Sequence, residues 1–216
     1  MNTNTKFLHT ILYLAIFIIL PSIFFILVQI PKRTILKDFL SIITVLAFFI
    51  VLGQFYLSRM NEKLKDTFKV VEMIKIHKIL GYIVLPILII HPFLIVVPRF
   101  FEAGPNPFDS FIKMITTLDS LSIILGIIAW VLMMVLGLTS IFRNKLNMTY
   151  KSWKVLHGFL SVFFIIFASW HAIETGRHMN ISMSILLILI TSIASIEFLF
   201  YTNKKIIKNE KVKNYE

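Results

Sequence analysis

Long apolar runs separated by short polar breaks make up almost the whole chain. Six runs stand out, at roughly 7–30, 36–57, 74–98, 118–142, 153–173 and 180–202. Each is near or above the ~20 residues that a helix needs to cross the hydrocarbon core of a bilayer. The short alternating segments of a membrane β-barrel are absent. The pattern predicts an all-α, polytopic membrane protein built as a six-helix transmembrane bundle. The first run is too long for a signal-peptide core and no small-x-small cleavage site follows it, so it reads as a retained span.

The breaks between runs are short. Residues 58–73, "SRMNEKLKDTFKVVEM", form a charged loop expected to be partly helical. In the break after the third run, Gly104 and Pro105 interrupt the chain. Asn106 then suits an N-cap, with Pro107 at the first helical position and Asp109 in the first turn. Phe108, Phe111, Ile112 and Ile115 fall on one face, which predicts a short amphipathic helix lying on the membrane surface. Pro21, Pro86 and Pro92 lie within spans and predict bends that neighbouring helices compensate. The organisation expected is one transmembrane domain over residues 1–203 and a solvated basic tail over residues 204–216.

Composition agrees with this picture: 57% of residues are hydrophobic and only 15% charged, too few charges for a soluble domain. The net charge of +11 would suggest nucleic acid in a soluble protein, but its distribution argues otherwise. With six spans, both termini share one side of the membrane with the loops after the second and fourth spans. Sixteen lysines and arginines fall on that side and six on the other. The positive-inside rule then puts both termini in the cytoplasm and the protein in the cell membrane, with its basic face on anionic lipid and no nucleic-acid role. The absence of cysteine excludes disulfides, iron–sulfur clusters and thiolate ligands.

Histidines supply the candidate chemistry. "HKILGYIVLPILIIHP" places His77 and His91 fourteen positions apart in the third span. "HGFLSVFFIIFASWH" repeats that separation with His157 and His171 in the fifth. Fourteen helical residues rise about 21 Å and turn to within about 40° of four full turns, so each pair shares a face. The third and fifth spans run in the same direction, which sets His77 level with His157 and His91 level with His171. Packed together, the two helices would offer two imidazole pairs stacked across the membrane. A flat metal macrocycle wants one axial ligand on each side, and intramembrane ionisable residues point to function. The pattern predicts two bis-histidyl haems between the third and fifth helices. Zinc is disfavoured, because only two ligands can be named at each level.

Small residues beside the ligands, Gly81, Gly158, Ser161 and Ala168, suggest slots for the rings. Arg99 and Arg177 flank the outer histidines and are candidate contacts for haem propionates; Lys75, Lys78, Lys151 and Lys154 flank the inner ones. Phe163 and Phe164 sit midway between the two levels. His9 reads as a structural residue at a span end, His178 as part of a solvated loop, and Glu197 as a residue reaching the interface.

The segments "KIHKILGYIVLPILIIHPF" and "YKSWKVLHGFLSVFFIIFASWH" resemble the bacterial ferric reductase-like transmembrane domain family, related to ferric reductases and NADPH oxidases. The more distinctive piece is Y-x-x-W-x-x-L-H, filled here by Tyr150, Trp153, Leu156 and His157, and the resemblance covers about residues 36–202. It implies that His77, His91, His157 and His171 ligate two haems b. Many relatives continue into a cytoplasmic flavin- and nicotinamide-binding module. Here a short tail follows the sixth span and there is no glycine-rich dinucleotide fingerprint. The resemblance therefore implies a di-haem oxidoreductase component that needs a separate cytoplasmic flavoprotein, which would carry FAD, and that passes electrons to an external acceptor such as chelated Fe(III). Three alternatives stay open: a quinol-fed haem subunit serving an extracytoplasmic reductase, a superoxide-forming oxidase core, and a haem-free transporter with the histidines as proton sites.

Overall fold

The structure is a computed structural model that describes residues 3–28, 30, 34–57, 64 and 67–213. Six helices in it are long and apolar enough to cross a membrane: Asn4–Leu27, Ile35–Tyr56, Val70–Phe100, Leu121–Ile141, Tyr150–Thr175 and Ile181–Lys204. These are the first to sixth spans. Among the described residues the regular structure is all helical, and the chain is a multi-pass membrane protein. The spans start where side chains satisfy their free amides. Thr34, Ser120 and Thr149 each accept a hydrogen bond from the backbone N–H three residues on. The first span is not uniform, because a π-helical turn at Ala15–Ile19 separates α-helical Thr3–Leu14 from Leu20–Leu27. The last helix runs on to Lys213, so the expected basic tail continues the helical backbone of the sixth span. Half of the charged 58–73 loop, residues 58–63, 65 and 66, lies outside the described residues.

Long-range contacts sort the residues into two ends. At one end, which carries both termini, His9 meets Tyr56, the Lys6 ammonium meets the Glu72 carboxylate, Ser140 meets His157 and Lys154 meets Tyr201. At the distal end Asn180 donates to the Phe24 carbonyl and Lys37 pairs with Glu102. Successive spans are thus antiparallel. Each packs on the next in chain order, and the sixth returns to the first two. The interior holds fully buried Phe49, Leu52, Val84, Ile165, Met183 and Leu187, while large apolar residues such as Ile83, Val131 and Leu189 face outward, as lipid requires. Ser169 and Thr191 share a buried 2.8 Å hydrogen bond between the fifth and sixth spans, of the kind that contributes about 0.6 kcal/mol in membrane bundles.

The distal surface carries the amphipathic helix expected from sequence, at Pro107–Thr116. The Asn106 side chain accepts from the Phe108 amide at 2.8 Å. Phe111 stacks on Phe93 of the third span, with centroids 4.3 Å apart, while Phe108 and Ile112 are turned outward.

This loop is tied down by the Lys37–Glu102 pair, and the Thr34 hydroxyl donates to the same carboxylate at 3.1 Å. The Lys37 hydrogen bond, followed by that of Thr34, holds the Glu102 carboxyl below its ordinary value. A lowered carboxyl contributes its stabilisation above the ordinary carboxylate range and loses it as pH falls through the shifted value. Amide protection factors in residues 97–117, which remove the intrinsic pH dependence of exchange, are therefore expected to fall as pH drops through the shifted carboxyl value. In Glu102→Gln the lower protection is expected already at neutral pH, with no further loss on acidification. An unaltered exchange pattern in that variant would refute the tie.

Candidate functional site

A cavity of about 510 Å³ opens at the distal end between the second, third, fourth and fifth spans. Its size lies within the ~300–1,000 Å³ typical of small-molecule and cofactor sites. His91 of the third span and His171 of the fifth both line it. The structure thus brings the outer pair to one cavity; His77 and His157 lie on the same two spans, about 21 Å along the helix axis toward the termini end.

The third and fifth spans do not pack directly on one another, contrary to the sequence expectation. They are not among the closely packed helix pairs; each leans instead on the fourth span, which links them. Direct packing would close the space between the imidazoles, and the cavity occupies it.

The hydrogen bonds of the histidines determine which nitrogen is available. A carbonyl oxygen can only accept, so the nitrogen facing it carries the proton. His171 Nδ1–H donates to the Ser122 carbonyl at 2.9 Å, and His91 Nδ1–H donates to the Leu88 carbonyl at 2.5 Å. The Thr175 hydroxyl gives its proton to the His171 carbonyl at 2.6 Å and lies 3.5 Å from the ring, too far for a strong competing bond. In the inner pair, Ser140 gives its hydroxyl proton to the Leu136 carbonyl, which leaves its oxygen to accept from His157 Nδ1–H at 3.4 Å. Both outer imidazoles, and His157 more weakly, are thereby set with Nε2 as the open lone pair. This is the outer-shell arrangement typical of metal-ligating histidines.

The fourth span builds the seat for His171, and nothing in the sequence pattern singled it out. Ser122 supplies the carbonyl. Gly126, one turn on, lies against the imidazole so closely that a Cβ there would overlap Nδ1, Cγ and Cε1. Trp130, another turn on, also lines the cavity and donates Nε1–H to the Ile89 carbonyl of the third span at 2.8 Å.

The small-residue slots are correct only in part. A Cβ on Gly81 would meet nothing within 4 Å, so the face of His77 is open, and Ala168 lines the outer cavity. Gly158 serves another purpose: a Cβ there would strike Phe198 of the sixth span, at 2.5 Å. Being adjacent to His157, it points about 100° away from the ligand face. Ser161 donates to the His157 carbonyl at 2.6 Å, bonding back one turn within its own helix. Phe164 is buried and lines the cavity, edge-on to Phe48, whereas Phe163 is half exposed.

Arg99 and Arg177 both stand at the cavity mouth, joined by Lys37, which the sequence reading left unassigned. His178 is not in a solvated loop. It is 5% exposed, stacks on Phe25 with centroids 3.8 Å apart, and lies 3.8 Å from the Asp38 carboxylate. His9 is structural as expected, with its Nδ1 2.7 Å from the Tyr56 hydroxyl. Glu197 is exposed. At the inner level Trp153 stands 5.0 Å from His157, ring to ring, and its buried Nε1–H has no hydrogen-bond partner among the described residues. Lys75, Lys78 and Lys151 are exposed near this level, and Lys154 donates to the Tyr201 hydroxyl at 3.3 Å.

Among the described residues, no three His, Cys, Asp or Glu side chains converge as a group that could hold a bare metal ion. The donor sets are imidazole pairs. A pair suffices where the metal arrives with other ligands of its own.

Comparison with known proteins agrees with this reading at a coarser level. An uncharacterised protein of Archaeoglobus fulgidus is 39% identical over 140 residues, which is 65% of this chain and 76% of the relative. No solved structure matches. The family model described as "Ferric reductase like transmembrane component" matches residues 42–168, more than half of the chain, including His77, His91 and His157 and ending just short of His171. Membership carries oxidoreductase-type activity with it in general terms: the chain belongs to the ferric reductase-like transmembrane family.

Proposed function

We propose that this chain is a di-haem b cytochrome that carries electrons across the cell membrane, from a cytoplasmic donor to an external acceptor such as a ferric chelate. The observation that carries the reading is the outer pair: two imidazoles face one cavity between separated helices, each with Nδ1–H held by a backbone carbonyl and Nε2 open.

The residues present fit the group. Gly81 leaves the His77 face open, as a macrocycle close to the backbone requires, and Gly126 leaves room for the His171 ring itself. Buried polar groups are nearly always paired, and the unpartnered Nε1–H of Trp153 beside His157 suits a cofactor carboxylate. Arg99 and Arg177 give the mouth of the outer cavity the positive charge that a second set of propionates needs, the charge of Lys37 there being matched by Glu102. When bound, haem supplies a reversible one-electron couple.

The chain's own residues do the rest. His77, His91, His157 and His171 would hold the two groups, a pair of imidazoles to each, and an acceptor would then take its electron without binding the metal. Phe164 and Trp130 wall the cavity with apolar surface, and the spans exclude water from the path between the two levels. The basic face at the termini end would take a separate flavoprotein donor carrying FAD, with both termini cytoplasmic by the positive-inside rule; quinol is the other candidate donor.

Vesicles test the function directly. Haem-loaded protein is placed in liposomes enclosing ferric citrate, and membrane-impermeant dithionite is added outside. Ferrous iron is expected inside at a rate that scales with the protein. No protein-dependent reduction, or an equal rate with His171→Ala, would overturn the reading.

A further inference from the structure

Proline has no backbone N–H, so a proline within a helix leaves the carbonyl four residues earlier without its helical partner. Pro92 lies inside the third-span helix Val70–Val96, directly after His91. The carbonyl it leaves unclaimed belongs to Leu88, and His91 Nδ1 sits on that oxygen at 2.5 Å. The next carbonyl, of Ile89, takes the Trp130 Nε1–H at 2.8 Å. Two adjacent carbonyls at the proline are thus each served by a side chain that lines the outer cavity. Pro86 provides an internal comparison. It frees the Tyr82 carbonyl of the same helix, and no described side chain donates to that one.

We propose that Pro92 is a positioning residue for His91: by withholding its N–H it reserves the Leu88 carbonyl for the imidazole. The bond fixes the Nδ1–H tautomer and aims Nε2 into the cavity. It also makes Nε2 a stronger donor, since a ligating histidine whose other N–H is given to a carbonyl gains basicity. The proposal rests on the reading of His91 as an axial ligand. An amide at position 92 would compete for the same oxygen, so the imidazole would be held less firmly and donate less. The oxidised state of the outer iron would then be less stabilised, and its midpoint potential would rise.

The test uses the full-length, haem-loaded protein as wild type, Pro92→Ala and Pro86→Ala. The readouts are potentiometric titration of the haem spectra and low-temperature electron paramagnetic resonance. The outer signal is identified as the one missing in His171→Ala. Alanine is favoured over proline within a helix, so both variants retain the span. Pro92→Ala is expected to raise the outer potential and move the outer low-spin signal while leaving the inner one in place; Pro86→Ala is expected to leave the outer potential at its wild-type value. Wild-type values in Pro92→Ala would overturn the proposal. So would an equal shift in Pro86→Ala, which would assign the effect to helix bending. Wild-type protein without haem would remove the ligand reading itself, and the proposal with it.

Discussion

Replacing His171 by alanine is expected to halve the haem bound per chain and to abolish electron transfer across the membrane. His171 is the fifth-span member of the outer pair. Its Nδ1–H is committed to the Ser122 carbonyl, so the whole donor capacity of the ring toward the cavity lies in Nε2. His178 and Glu102 also line the cavity, but His178 stacks on Phe25 and faces Asp38, and Glu102 is paired with Lys37. The inner pair shares none of these contacts. His157 is held from Ser140, and His77 lies on the third span at the same level, so the inner haem is expected to remain. Pyridine haemochrome assay against protein concentration gives the ratio. A variant that keeps full haem content would show that His171 is not a ligand.

Replacing Gly126 by valine is expected to reproduce most of this loss without touching a histidine. An added Cβ at Gly126 lands on the His171 imidazole, and valine adds two methyl groups beyond it. Overpacking of this kind costs about 1–3 kcal/mol when neighbours must shift. The cheapest relief is rotation of the imidazole, which breaks its bond to the Ser122 carbonyl and turns Nε2 away. Valine is an acceptable residue in a helix, so the span itself persists. Spectra should show the outer haem lost or reduced to a small fraction and the inner one unchanged. Gly158→Ala is the contrasting case, because the residue it strikes is Phe198 and the ligand face is spared. Equal haem loss in the two variants would mean that general helix packing, rather than the His171 seat, sets occupancy.

The six spans were legible because bilayer thickness imposes a length that soluble helices seldom match. The surface helix at Pro107–Thr116 was legible for a local reason: Asn106, Pro107 and the spacing of Phe108, Phe111 and Ile112 carry the whole signal within a dozen residues. Helix periodicity alone matched the histidines, since fourteen residues return close to the same face. The seat of His171 escaped the sequence reading because it is tertiary. A serine carbonyl and a glycine on the fourth span carry no titratable or aromatic mark, and their relation to His171 exists only once the fourth and fifth spans pack. Gly158 was assigned to the slot from nearness in sequence, where helical angle should have decided. His178 was read as solvated from its polar neighbours Glu174 and Arg177, but Phe25, from the other end of the chain, covers it. The separation of the third and fifth spans was missed because helix packing in membranes is usually argued from small residues; the cavity lined by both His91 and His171 keeps the two spans apart.

The geometry of four imidazoles in two facing pairs stands or falls on a dithionite-reduced minus oxidised spectrum of the purified protein, with haem quantified per chain. Two b-type haems per chain, with a reducible Soret and α band, are expected. A protein without a reducible haem spectrum, or with a haem content unchanged in both His91→Ala and His157→Ala, would contradict it.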